Sequence, residues 1–299
     1  KVQTMPAKND DSRGKSVDKP KGKTEGKSKK KVLGVLEENM QWWDLEPRLG
    51  KRAAPARIPE TSQKRPLASE VEAFREKGNT LIDEAADAYS GMRQSQADGD
   101  DKFMDQMLKA GTLADRVAAM TLRIQQSPMH ELSSIDALLK LCGKGNHRGA
   151  RLALEALVDL FKGNLIPDDR TLLALEQRPI NDPGITNDHI FTWAFEAGIK
   201  SRFSQLIEHL AVALKDNTSD FRKFGMDCIA DLLESKPEQE QTLLTMCVNK
   251  LGDPDRKVAS RATYRLQLLL KKHNSMIATV VQFIQVYLAR LNLNPRGVY

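Results

Sequence analysis

A 37-residue internal echo constrains this chain more than any other feature of it. Shifted by that spacing, Leu206, Ile207, Leu210, Ala211 and Leu214 fall on Leu243, Leu244, Cys247, Val248 and Leu251 without a gap. Asp216 falls on Asp253. Phe221, Gly225, Ile229, Leu232 and Leu233 fall on Val258, Ala262, Leu266, Leu269 and Leu270. Each unit reads as an apolar helix, a corner marked by Asp, and a second helix with apolar residues at i, i+4, i+8, i+11 and i+12. Val280, Val281, Ile284 and Leu288 fit the first helix of a third unit. Upstream, Ile135, Leu138, Leu139 and Cys142 fit a first helix, and Ala153, Leu157, Leu160 and Phe161 a second. One helix pair cannot cover its own apolar face, whereas stacked pairs share a core, so the period predicts an all-α solenoid. No run of alternating β-branched residues makes a convincing strand.

The corner "DPDRKVASRA" resembles the HEAT repeat, in which Asp-Pro is followed by a β-branched residue, Arg, and Ala four on. Asp253, Pro254, Val258 and Ala262 keep that pattern, but Ala259 stands where the Arg is expected. The earlier corner keeps Arg222 and has Phe221 and Gly225 for Val and Ala. A HEAT-like but irregular array is therefore expected, with its Asp–Arg hydrogen-bond ladder interrupted. Four segments follow: a basic tail at 1–31, an extended linker at 32–66, N-terminal helices at 67–127, and the HEAT-like solenoid at 128–299. Capping boxes are read at Ser69/Glu72 and Thr112/Asp115, and 164–186 reads as irregular. The chain opens on Lys1 rather than Met and stops at "NPRGVY", which reads as a fragment of something longer.

The charge is unevenly placed. Residues 1–31 hold ten Lys and one Arg against four acids, a net +7, so the rest carries −1 of the chain's +6. Such a tail lacks the apolar residues to offset its ordering entropy and is expected to be disordered on its own. Lys27, Lys29, Lys30 and Lys31, in "KSKKK", suit a nuclear import signal or a phosphate-binding arm; a plain solubilising tail is the other reading. Cys142, Cys228 and Cys247 are odd in number and flanked by apolar residues, as buried thiols of a reducing compartment would be. The most apolar stretch, "MIATVVQFIQVYLA", is shorter than a membrane span. A soluble intracellular protein is expected.

Little here points to catalysis. "RGKS" and "KGKT" mimic a nucleotide loop, but Asn9 and Val17 stand where the required upstream Gly belongs, and no strand precedes either. "GKGNHRG" joins two helices rather than a strand and a helix, so a dinucleotide site does not fit. The five His are scattered, with no Cys or carboxylate at metal spacing. No cofactor, metal or small-molecule substrate is expected.

Two basic groups remain as candidate contacts. Lys144, Arg148 and Arg151 surround the start of a helix, where a phosphate can be held; a plain helix corner is the alternative. Lys257, Arg261, Arg265 and Lys272 fall within about an 80° sector beside an apolar stripe. That row can follow an RNA backbone, or it can be a solvated flank paired with acids of the next repeat. In the linker, Trp42 and Trp43 suit an extended peptide that docks in a groove with the indoles as anchors; packing on the chain's own helices is the other reading.

"KGNHRGARLALEALVDLFKGNLIPD", "QRP", "SKPEQEQTLLTMCVNKLGDPDRKVASRATYRLQLLLKKH" and the aromatic pair of "WWDLEP" resemble the nucleolar complex protein 1 family, also called the CCAAT-binding factor family. The resemblance covers about residues 40–299, with Trp43 where Tyr is common. It implies a role in assembly of the large ribosomal subunit in the nucleolus, as a heterodimer with nucleolar complex protein 2 on early pre-ribosomal particles. A base-reading transcription factor and a generic HEAT adaptor are the alternatives from other classes.

Overall fold

The computed structural model describes residues 32–37, 40–51, 56–58, 65–96, 99–143 and 146–290. Among them the regular structure is helical: α1 (Ala68–Gln96), α2 (Gly99–Ala110), α3 (Leu113–Gln126), α4 (Leu132–Cys142), α5 (His147–Leu160), α6 (Asn187–Ala213), α7 (Ser219–Ser235), α8 (Glu240–Asn249), α9 (Arg256–Lys272) and α10 (Ile277–Leu288). The helix pairs expected from the repeat are α4–α5, α6–α7 and α8–α9, with α10 in the register of a further first helix. One buried apolar cluster runs from Trp42 through Phe195, Phe203 and Leu232 to Leu269 and Tyr287. This is the shared core that stacked pairs require.

The corners show why Asp recurs at the repeat spacing. Asp216 accepts the backbone N–H of Thr218 at 2.7 Å, and Asp253 accepts that of Asp255 at 3.0 Å, the same two-residue loop in each unit. Asp255 then caps α9 by accepting the Lys257 N–H at 2.8 Å. Arg222 ties the corners together, donating to the Asp216 carbonyl at 2.8 Å and to the Asp253 carboxylate at 3.1 Å. One Asp–Arg rung is therefore present, and Ala259, which has no donor, ends the run.

Thr112 and Asp115 form the expected box, with Thr112 N–H donating to Asp115 Oδ2 at 2.9 Å. The box expected at Ser69/Glu72 is corrected. α1 starts two residues earlier than that box implies, and Glu70 accepts the Leu67 N–H at 2.8 Å. Pro66, which lacks an N–H and fixes its own φ, sets the entry two residues before Ala68.

The segment between α5 and α6 is irregular, as its prolines predict, with a π-turn at Phe161–Leu165 and a 3-10 turn at Leu175–Gln177. It is not loose. Arg178, fully buried, donates to Glu46 Oε1 at 2.6 Å, to the Ala56 carbonyl at 2.9 Å, and to Glu196 of α6. Glu46 also accepts from Trp193 Nε1 at 2.9 Å and from the Ala56 N–H at 3.1 Å. Glu196 accepts the Leu173 N–H at 2.8 Å and pairs with Arg170. A second staple joins the same segment to the α7–α8 corner. Glu238 accepts the Leu172 N–H at 2.6 Å and Lys200 Nζ at 2.8 Å, and Lys236 donates to the Ile166 carbonyl at 2.7 Å.

The linker thus lies along the helices as a strap. Trp42 is fully buried, edge-on to Phe195 at 5.2 Å, and donates to the Leu165 carbonyl at 3.3 Å. Ile58 N–H donates to the Gln177 carbonyl at 2.8 Å. At its start His130 Nε2–H donates to the Leu33 carbonyl at 2.6 Å. The neighbouring Gly34 takes a φ of 75°, a conformation that suits glycine. Behind the strap α1 crosses α6 closely at Gly78, where a Cβ would lie 2.3 Å from that of Ala194.

This packing predicts three effects on stability. Glu46→Ala leaves the Arg178 guanidinium without one of its buried counter-charges and should cost about 3–5 kcal/mol in urea denaturation. Removing the exposed partner in the Arg75–Glu176 pair, Glu176→Ala, should shift stability by less than about 1 kcal/mol. Gly78→Val should cost about 1–3 kcal/mol by overpacking, read as a lowered Tm. Combining it with Ala194→Gly should recover part of that loss.

Candidate nucleic-acid interface

Arg148 and Arg151 of one predicted basic group lie on the first turns of α5, Lys257 of the other lies at the start of α9, and both helices pack on α7. The second helices α5, α7 and α9 all begin at the corner end of their pairs. At the start of α5, Asn146 accepts the Arg148 N–H at 3.1 Å, which caps the helix and leaves the Arg148 side chain exposed. The preceding His147 stacks on Phe221 of α7 with ring centroids 4.8 Å apart and lies 3.1 Å from Asp216 Oδ2. One turn on, the guanidinium of exposed Arg151 lies 4.6 Å from the centroid of the Phe224 ring of α7. α5 is thereby seated on the start of α7.

The first turn of α7 adds a cation that the sequence reading did not single out. Lys223 Nζ is 2.6 Å from Oδ1 of the exposed Asp220. The Asp220 carboxyl lies below the ordinary Asp range. The hydrogen bond from Lys223 lowers it most, then the charge of Lys223, with the charges of Lys257 and Arg151 adding. Arg151, Lys223 and Lys257 thus come from the second helices of three successive pairs and act on one carboxylate. The signal for Lys223 was the i,i+3 spacing Asp220–Lys223, legible only once the three helices are known to align.

Further along α9 the predicted row divides. Arg261 donates to Asp227 of α7 at 2.7 Å. Arg265, only 11 % exposed at its side chain, pairs with Asp231 and reaches Glu234 at 3.3 Å and Asp227 at 3.7 Å. Lys272 donates to the Glu234 carbonyl at 3.2 Å, and His273 meets the same oxygen at 2.9 Å. These residues serve as a ladder between repeats, to the preceding unit rather than to the next. Exposed Lys257 lies outside it at the corner, and exposed Tyr264 presents a ring with the Arg261 guanidinium 5.5 Å from its centroid.

Lys27, Lys29, Lys30, Lys31 and Lys144 lie outside the described residues. Of the Trp pair, Trp42 is spent on the chain's own core, while Trp43 is half-buried beside it at 5.5 Å, edge to face. The three thiols are free, and burial pushes each of them up to about 12, so they stay protonated at neutral pH. Among the described residues no cluster of three His, Cys, Asp or Glu is placed to hold a metal ion, and no helix is long and apolar enough to cross a membrane.

No family model matches the chain. It is 36 % identical over 238 residues to Ribosome biogenesis protein NOC1 of Chaetomium thermophilum, a match covering 73 % of this chain and 22 % of the relative. It is 30 % identical to Nucleolar complex protein 1 of Drosophila melanogaster, over 66 % of this chain and 18 % of the relative. It is 27 % identical to CCAAT/enhancer-binding protein zeta of Mus musculus, over 89 % of this chain and 25 % of the relative. The chain spans a quarter or less of the length of these three curated relatives. Matched over most of its own length to proteins bearing those names, the chain belongs to the nucleolar complex protein 1, or CCAAT-binding factor, family.

Proposed function

We propose that this chain is a non-enzymatic scaffold of ribosome biogenesis. It works in the nucleolus on early particles of the large ribosomal subunit, and it contacts pre-ribosomal RNA at the corner end of α5, α7 and α9. The observation that carries the RNA contact is the gathering of Arg148, Arg151, Lys223 and Lys257 there, beside the half-exposed rings of Phe224 and Tyr264. Cations interleaved with aromatic faces suit a single strand, whose phosphates take the charges while its bases stack. The basic tail, with Lys27, Lys29, Lys30 and Lys31, and Lys144 are further candidate contacts in this reading. Arg261, Arg265 and Lys272, engaged with α7, contribute alignment of the helices rather than direct grip. Nucleolar complex protein 2 and other assembly factors are the protein partners in this reading, on the strength of the family alone.

A base-reading role suits the geometry less well. A recognition helix must leave its side chains free to enter a major groove. α9 instead buries Val258, Ala262, Leu266 and Leu269 and engages Arg261 and Arg265 with its neighbour.

Binding of a fluorescent oligouridylate, followed by anisotropy across a salt series, tests the contact. Arg151→Gln with Lys257→Gln should weaken binding and reduce the salt slope by about one to two. Arg265→Gln should lower stability but leave the RNA affinity of the folded protein unchanged. Unchanged affinity in the double variant would remove the corner as an RNA site, and strong base preference on duplex DNA would favour the transcription-factor reading.

A further inference from the structure

The corner proposed to hold RNA carries an acid of its own. Asp220 is the second residue of α7, and its side chain is 80 % exposed. Lys223 holds one carboxylate oxygen at 2.6 Å, and Phe224, four residues further along the helix, carries the Arg151 guanidinium 4.6 Å from its ring centroid. The next helix of the row contributes Lys257. Other acids of α7 are placed differently: Asp227 and Asp231 face Arg261 and Arg265 inside the inter-repeat ladder.

We propose that Asp220 is a built-in counter-ion seated where an RNA phosphate binds, so that a strand must displace its carboxylate from Lys223 to engage the corner. The inference rests on the RNA reading of the same corner and adds its regulation. Cations brought together from three helices repel one another in the free protein, and one carboxylate among them relieves that repulsion. The pair is exposed, so it is weak and opens readily. A phosphodiester offers the same charge to the same cations and releases condensed counter-ions on binding, which the carboxylate cannot do. Asp220 thereby sets a threshold: the corner discriminates against weakly held anions and yields to a polyanion.

The test measures oligouridylate affinity of the whole chain with Asp220→Asn, and with Asp220→Ser as a second variant that keeps a polar first-turn residue. Glu208→Gln, on an exposed position of α6, is the control that changes net charge equally. Both Asp220 variants should tighten binding by about two- to fivefold, and the control should not. Placed in a Lys223→Gln background, Asp220→Asn should lose its gain. A gain that persists there, or one matched by the control, is a general field effect and overturns the proposal. So does weaker or unchanged binding in both Asp220 variants. These results leave the RNA site standing if the Arg151, Lys257 variant still binds more weakly; if that variant binds as the parent does, the RNA reading itself fails.

Discussion

The buried pairing of Arg178 with Glu46 and Glu196 is the interaction on which the rest of this structure leans. A guanidinium with no exposure to water is tolerable only when its charge is neutralised and its donors are used. Here two carboxylates do the first, and with the Ala56 carbonyl they take the donors of both terminal nitrogens, Nε alone having no partner. The geometry also fixes three pieces of chain at once. Glu46 belongs to the strap, Arg178 to the irregular segment between α5 and α6, and Glu196 to α6 itself. Glu238 and Lys236, at the α7–α8 corner, hold the same irregular segment from the other side. A stretch with little regular hydrogen bonding of its own is thereby fastened to two repeats.

That fastening matters for the surface. The second helices align because Asp216, Arg222 and Asp253 tie one corner to the next, and because Arg261 and Arg265 reach back to Asp227 and Asp231. Charge along this side is therefore sorted by depth. Inside the ladder each cation meets an acid of the neighbouring repeat, and at the corner end the cations face solvent around Asp220.

How much of this was legible in the sequence depends on distance along the chain. The repeat was, because a period in apolar spacing is a local property that survives substitutions such as Val258 for Phe221. The positions of Lys257 and Arg261 on one side of a helix were equally legible. Their fates were not, since Asp227 and Asp231 sit 34 residues away in sequence and only the stacking brings them opposite. The clasp was invisible for the same reason: Glu46 and Arg178 are 132 residues apart. The string "QRP" gives no hint that its Arg is buried, because an arginine in a Pro-rich stretch is ordinarily solvated. Trp42 was half legible. Its need for a groove was plain, but that the groove belongs to the same chain depends on Phe195 and Leu165. The misplaced cap of α1 arose because two acids, Glu70 and Glu72, offer competing boxes, and Pro66 decides between them.

Native-state amide hydrogen exchange tests most directly whether the clasp makes the strap part of the fold. The N–H of Ala56 is held by Glu46, that of Ile58 by the Gln177 carbonyl, and that of Leu173 by Glu196. If the clasp governs this part of the structure, these three amides exchange only through the same opening that exposes the buried middle of α6 around Ile199, and their exchange free energies agree with those of that helix. Exchange of Ala56 and Ile58 through a separate, low-energy opening, while α6 stays protected, would contradict the account and make the strap an accessory laid on a fold that stands without it.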